Sequence, residues 1–311
     1  MKHTRPGQSH QRDKIPFLLL LLFSLNCFGQ QTAKRLAKDD KPTLVSNQFK
    51  FTEGPAADRQ GNIFFTDQPN NKIWKYDIEG KLSVFLDSAG RSNGMYFDDQ
   101  GNLVTCADEN NQLWMISPTG KVTILLDDFM GHRFNGPNDL WIDHNGGIYF
   151  TDPYFQRDYW QRKSPDPEIN GEKLYYLAKG KTEAFIVDDS LKKPNGIIGQ
   201  AGKYLFVSDM GVGKIFRYEL GNDGKLTIRS AFASDLADGM TLDNAGNLYL
   251  AGKGVTVYDS TGLKIQQYAI PSGWTANLCF GGVNNDLLFI TASESVYILR
   301  MNVKGMKQGK L

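Results

Sequence analysis

Six oxygen-bearing side chains recur at one position of a repeating pattern: Glu53, Asn93, Asn138, Asn195, Asp238 and Asn277. Each stands seven or eight residues ahead of a turn signal, at 61, 101, 146, 202, 246 and 285 in that order. Two of the six are carboxylates and none is cationic. Carboxylates packed together repel one another and lose hydration, so such a group calls for a cation. Oxygen donors select a hard ion, Ca²⁺ first and Mg²⁺ or Mn²⁺ on the same grounds, with Zn²⁺ as a further alternative. Hairpin chemistry competes as an explanation, because Asn93, Asn195 and Asp238 are each followed by Gly. It does not cover the set. Glu53 is not a turn residue, Asn138 is followed by Asp and Asn277 by Leu. The place in the repeat is kept while the turn chemistry is not.

The elements that would carry these residues are short strands. Runs rich in Val, Ile, Phe, Tyr and Leu alternate with Gly, Asn and Asp clusters, and extended helical periodicity is absent. The runs repeat as a unit: "GNIFFTDQPNNKIWKYD" from 61, "GNLVTCADENNQLWMIS" from 101, "GGIYFTDPYF" from 146, "GKYLFVSDMGVGKIFRYE" from 202, "GNLYLAGKGVTVYD" from 246 and "NDLLFITASESVYILR" from 285. The offsets of 40, 45, 56, 44 and 39 residues suit a four-stranded unit, and predict an all-β, six-bladed β-propeller. The sixth unit has room for only three strands, so "TLVSNQFKF" (43–51) is expected to complete it and hide a sheet edge. In a propeller the innermost strands start around the axis on one face, which brings the six side chains together. The long third interval holds a polar insertion, "QRDYWQRKSPDPEINGEK" (156–173), readable as a solvated loop or as a flap over one face.

With those residues in view, the chain resembles the SMP-30/gluconolactonase/regucalcin-like family of six-bladed propellers, related to squid-type diisopropyl fluorophosphatase. The resemblance spans roughly 45–300 and rests on "FTEGPAADRQGNIFFTD", "RFNGPNDLWIDHNGGIYFTDP", "KPNGI" with "YLFVSD", and "ADGMTLDNAGNLYLA". It implies a divalent cation, commonly Ca²⁺, held by Glu53, Asn138, Asn195 and Asp238. Asn93 and Asn277 are then expected to touch substrate or to support the ligands, and Arg133 to bind substrate oxygens. The implied activity is hydrolysis of a sugar (aldono-) lactone or similar cyclic ester, with Asp238 as ligand and general base. Two alternatives are a phosphotriesterase on the same site, and a non-enzymatic Ca²⁺-binding propeller that binds a sugar or protein partner. One departure stands out. Many bacterial members carry Cys-Glu-His-Gly in blade two, where this chain has "CADEN" (106–110) and no histidine.

Other chemistry is poorly supported. "GRSNG" (90–94) fits the nucleophile-elbow pattern, but a strand-like "MYFDD" follows where a helix is required. His132 and His144 show no metal spacing, and Cys106 and Cys279 sit in apolar runs as buried hydrophobes. With 35 basic against 34 acidic residues and no long block of one sign, nothing points to nucleic acid or an anionic membrane.

Residues 1–29 read as a signal peptide: Lys2, Arg5, Arg12 and Lys14 precede the apolar run 15–25, too short to span a bilayer. Without them the balance is 31 basic to 33 acidic. The expected layout is a leader (1–29), a linker (30–41), one propeller domain (42–303) and a tail (304–311). Export to the periplasm or outside the cell follows. Lipoprotein anchoring through Cys27 is disfavoured by the Ser-Leu-Asn before it. N-terminal sequencing of protein from the native host should begin within a few residues of Gln30. Retention of Met1 in the mature form would exclude the cleavage.

Overall fold

The computed structural model describes residues 1–4, 35–39, 41–161, 163–221 and 223–307. Most of the expected leader, with Cys27, lies outside the described residues. The chain divides into Met1–Lys34 and Arg35–Leu311, and every strand belongs to the second unit. Among the described residues no helix is long and apolar enough to cross a membrane.

The first strand, β1 (Thr43–Ser46), stands apart and the rest follow in fours. Blade 1 is β2 (Thr52–Ala57), β3 (Ile63–Asp67), β4 (Lys72–Tyr76) and β5 (Leu82–Asp87). Blade 2 is β6 (Ser92–Phe97), β7 (Leu103–Ala107), β8 (Gln112–Ile116) and β9 (Val122–Leu126). Blade 3 is β10 (Leu140–Ile142), β11 (Ile148–Asp152), β12 (Lys173–Leu177) and β13 (Ala184–Asp188). Blade 4 is β14 (Pro194–Gln200), β15 (Tyr204–Asp209), β16 (Lys214–Leu220) and β17 (Leu226–Ala233). Blade 5 is β18 (Met240–Leu242), β19 (Leu248–Gly252), β20 (Gly254–Tyr258) and β21 (Lys264–Tyr268). Blade 6 is β22 (Thr275–Gly281), β23 (Leu287–Ala292) and β24 (Ser295–Arg300), completed by β1. The six-bladed, four-stranded propeller read from the repeat is the fold.

Composition follows position in the blade. Second strands are almost wholly buried and open on apolar runs that end in polar residues, as in IFFTD and IYFTD. Outer strands are largely solvent-exposed and mix polar with apolar residues, as in LSVFLD and KIQQY. Aromatic rings fill the wedges between blades: Phe65 of blade 1 meets Phe289 of blade 6 at 5.4 Å. The repeat is legible because of one turn. Asp58 Oδ1 accepts from the N–H groups of Gln60 and Asn62, both at 2.9 Å, and Gly61 has φ of 92°. Asp98, Asp143 and Asp243 do the same in blades 2, 3 and 5. An L-residue at that glycine would be strained.

Closure is longer than the sequence suggests. β1 pairs antiparallel with β24, Thr43 opposite Ile298 and Leu44 opposite Tyr297. Only 43–46 of the expected 43–51 is strand; 47–51 crosses to blade 1, where Thr52 hydroxyl donates to the Ser293 and Ser295 carbonyls at 3.1 and 2.9 Å. Part of the expected linker also pairs: Ala37 bridges Met301, and Asn302 N–H donates to Leu36 at 2.7 Å. At the other end, residues expected as tail bond to the body, Met306 N–H to Leu242 at 2.9 Å and Gly305 N–H to Asn285 at 2.8 Å. The backbone groups left open beyond β24 find partners here, which is why the ordered body extends past 42–303 on both sides.

Deleting 35–46 should therefore lower the thermal midpoint by on the order of 10 °C and promote self-association through the bared β24 edge. Thermal unfolding and size-exclusion chromatography check this. An unchanged midpoint in a monomeric variant would show that β1 does not latch the ring.

Candidate active site

The ring residues are held by their neighbours in sequence and by the second strands. Asp67 Oδ1 accepts from the N–H groups of Lys50 and Phe51 at 3.1 and 3.4 Å. Asp152 receives Asn135 and Gly136 at 2.9 and 2.7 Å, and Asp209 receives Lys192 and Lys193 at 2.9 Å each. These three carboxylates, at the ends of β3, β11 and β15, peg the chain just before Glu53, Asn138 and Asn195. A second set of pegs is hydroxylic. Thr105, Thr151, Ser208 and Thr291 donate to the carbonyls of Gly94, Asn195, Ala237 and Asn277 at 3.2, 2.8, 2.5 and 3.1 Å. Pairing shifts register beside the ring in four blades, between Glu53 and Ala56, Ser92 and Met95, Pro194 and Ile197, and Thr275 and Asn277. Such bulges re-aim a side chain. Here they turn the ring residues toward the axis.

The glycines after the ring residues are packing devices rather than turns. A Cβ on Gly94 would lie 2.1 Å from Asp139 Oδ1, and one on Gly196 2.1 Å from the Asp238 carbonyl. On Gly239 it would meet the Asn277 amide at 2.0 Å. Adjacent inner strands approach so closely at the axis that no side chain fits between them.

The structure brings Glu53, Asn195, Asp238 and Asn277 within electrostatic reach of one another. The Asn277 amide favours the charged Glu53 carboxylate, Asn195 does the same for Asp238, and the Asp238 charge opposes that of Glu53. The Trp274 indole N–H donates to Asp238 Oδ2 at 2.6 Å. Asn93 and Asn138 are buried at the same level, and Gly94 N–H donates to the Asn138 carbonyl at 2.8 Å. Asp238 alone of the six keeps partly accessible surface. Arg133 is placed elsewhere. Its guanidinium donates to the Ser164 carbonyl at 2.6 Å, so it ties down the insertion instead of facing the ring.

Glu53 and Asp238 are not the only acids at the axis. Asp139 is buried beside them, its Oδ1 accepting from Leu140 N–H at 2.9 Å and its Oδ2 from Ile197 N–H at 3.3 Å. It shares the Asn277 amide with Glu53 and, with Asn277, lines an axial cavity of about 30 Å³. That is room for about one water. Simple strand alternation would point it away from Asn138; the one signal in the sequence was an acid where blades 1, 2, 4 and 5 have Gly.

Burial pushes the Glu53 carboxyl well up, and repulsion from Asp238 and Asp139 adds to it against the Gly54 N–H and the Asn277 amide. Asp139 is pushed up to about 7 by burial, against backbone bonds from Leu140 and Ile197. Burial raises Asp238, and the Trp274 N–H, the Arg157 charge and the Asn195 amide bring it part of the way down. The donor set fits a hard divalent cation: it is all oxygen, rich in negative charge and short of counter-charge. Among the described residues no three His, Cys, Asp or Glu side chains form a metal-holding group by themselves. An ion held here would need amide oxygens as well as carboxylates.

The insertion leaves β11 on the ring face. The Tyr159 hydroxyl donates to Gln68 Oε1 at 2.5 Å, and Arg91 lies over the Trp160 ring at 5.1 Å. Gln68 Nε2 in turn donates to Asp108 Oδ2 at 3.3 Å, so the acid of "CADEN" supports this bridge. The segment is thus fastened to blades 1 and 2 near the site. Ser92 of "GRSNG" is buried in β6 and its hydroxyl donates to the Ala89 carbonyl at 2.6 Å, as unsuited to a nucleophile as the sequence suggested. Burial raises both cysteine thiols.

Comparison with known proteins fits this geometry. The model of the SMP-30/Gluconolactonase/LRE-like region matches residues 51–294. The gluconolactonase of Zymomonas mobilis is 26% identical over 293 residues, covering 84% of this chain and 82% of that protein. A solved gluconolactonase from Xanthomonas campestris is 28% identical with a TM-score of 0.77, covering 86% of this chain and 97% of that one. The calcium-binding regucalcin of Agrobacterium tumefaciens shares the fold, at 18% identity and a TM-score of 0.67 over 89% of this chain and 97% of that one.

A pH dependence follows from Asp139. Its folded-state value near 7 exceeds the ordinary 3.8, so the folded chain holds the proton more tightly than the unfolded one. In chelator-treated protein its contribution is complete below pH 4 and lost as pH rises through 7. The thermal midpoint should fall between pH 5 and 8, and Asp139→Asn should flatten that slope. An identical slope in the variant would contradict the assignment.

Proposed function

Because the chain belongs to the SMP-30/gluconolactonase/LRE-like family, we propose that it is a lactonase of the gluconolactonase type. It would open a sugar (aldono-) lactone or similar cyclic ester with the help of a divalent cation. The observation that supports this most directly is the convergence of Glu53, Asp139 and Asp238 with the Asn195 and Asn277 amides at one end of the axis.

Glu53, Asn138, Asn195 and Asp238 would hold the ion, Ca²⁺ first. When bound, it supplies Lewis acidity toward the lactone carbonyl. Asp238 is suited to take the proton of the attacking water: its carboxyl is raised by burial, keeps accessible surface and is fixed by the Trp274 N–H. Water adds to the carbonyl carbon, the ring C–O bond breaks, and the released hydroxyl takes up the proton. One water is consumed and one hydroxy acid formed. Asn277 steadies Glu53 and Asp139 against their mutual repulsion. The insertion limits access of bulk water through the Tyr159–Gln68 bridge.

Metal titration by calorimetry beside lactone hydrolysis tests the reading. Chelation should abolish turnover and Ca²⁺ restore it. Asp238→Asn should cut turnover by about 100-fold or more at saturating metal. Glu53→Gln should mainly weaken metal binding, so excess Ca²⁺ should restore more of its activity. Asn93→Ala should bind metal within about threefold of wild type. Full turnover in Asp238→Asn at saturating metal would remove its role as base. Turnover of phosphotriesters but no lactone would replace the substrate class.

A further inference from the structure

Arg157 is the unexplained charge on the site face. It stands in the insertion, near enough for its positive charge to bear on Asp238. Its guanidinium lies against the Phe155 ring at 5.0 Å, and its Nε is buried with no hydrogen-bond partner among the described residues. Neighbouring cations on this face have charged or carbonyl partners. Arg91, whose Nε is also buried without a hydrogen bond among the described residues, pairs with Glu109 at 3.4 Å and donates through its Nη1 to the Pro69 carbonyl at 2.8 Å. Arg133 is bound to the Ser164 carbonyl at 2.6 Å, and Lys193 to Glu172 and the Tyr154 carbonyl at 2.5 and 2.8 Å. Lys193 also approaches Phe155, at 5.1 Å, so two cations bear on one ring.

An unmet guanidinium N–H costs more than a neutral one, and a charged acceptor repays it best. A divalent ion in the ring would take up the Asp238 charge and repel the guanidinium. The counter-charge must then come with the ligand. We propose that Arg157 recognises a carboxylate on the substrate, and that the preferred substrates are lactones that retain a free carboxylate away from the ester being opened. Stacking on Phe155 holds the guanidinium plane in place before binding, which lowers the cost of ordering it. The tether of Tyr159 to Gln68, two residues on, fixes the height of this part of the insertion above the ring.

The inference rests on the lactonase reading, and two paired measurements separate their fates. One is hydrolysis of two lactones that differ only in a terminal carboxylate or hydroxymethyl group. The other is calorimetric binding of the two corresponding lactams, which are not hydrolysed, to Ca²⁺-loaded protein. Wild type should bind the carboxylate lactam about 10- to 100-fold more tightly than its partner. Arg157→Gln should erase that difference and leave the hydroxymethyl lactam within about threefold. Arg157→Lys should retain part of it, which guards against a misfolded variant. Equal binding of the two lactams by wild type, binding of neither, or equal weakening of both in Arg157→Gln would overturn the inference. Discrimination between the lactams without hydrolysis of either lactone would instead overturn the lactonase reading and leave anion recognition standing.

Discussion

Repulsion among Glu53, Asp139 and Asp238, two buried acids and one partly exposed at one end of the axis, is the constraint to which the rest of the molecule answers. Left alone, such groups would separate, take up protons or draw in water. Here they cannot separate, because each stands on or just before an inner strand whose neighbours are in backbone contact. The Gly94, Gly196 and Gly239 contacts leave no slack at that level. What remains is partial relief from amides and N–H groups, with protons or a cation completing it. A fold that imposes this arrangement must recover its cost from the core, and the almost wholly buried second strands are where the apolar surface is spent.

Rigidity at the axis comes from short-range bonds repeated around the ring. Carboxylate pegs at Asp67, Asp152 and Asp209 fix the chain entering three inner strands, and hydroxyl pegs in blades 2, 3, 4 and 6 fix their carbonyls. A ligand set built this way does not depend on flexible loops. Closure matters for the same reason. If blade 6 could peel from blade 1, Asn277 would move relative to Glu53, whose carboxylate it holds.

How much of this the sequence revealed follows from which forces leave a local trace. The Asp-capped, Gly-containing turn is a short local device, so it repeats visibly in blades 1, 2, 3 and 5 and marks the ring position in each. Asp139 left no such trace: its inward direction arises from a departure from strand alternation and from the absent Cβ of Gly94, a residue of another blade. The pegs were present in plain view as "FTD" and "VSD", but their bonds run between segments about 16 residues apart. Arg133 looked like a substrate contact by its proximity to Asn138, and only the folded insertion shows the carbonyl that claims it. Residues 36–38 and 304–306 read as linker and tail because their partners lie elsewhere in the chain, at 300–302 for the first and at 242–244 and 285 for the second.

The insertion separates two jobs that one site must do. The ring and its pegs come from strands and turns common to all blades, so their geometry is tied to the fold. The insertion belongs to blade 3 alone, and it is fastened by side chains of other blades: Gln68 through Tyr159, Arg91 under Trp160, and Arg133 at Ser164. Those anchors lie beside the ring rather than in it. Changes in the insertion can therefore alter what is admitted and how it is oriented without shifting the carboxylates. Asp108 of blade 2 takes part in the same support, since it accepts from the Gln68 amide that Tyr159 bonds.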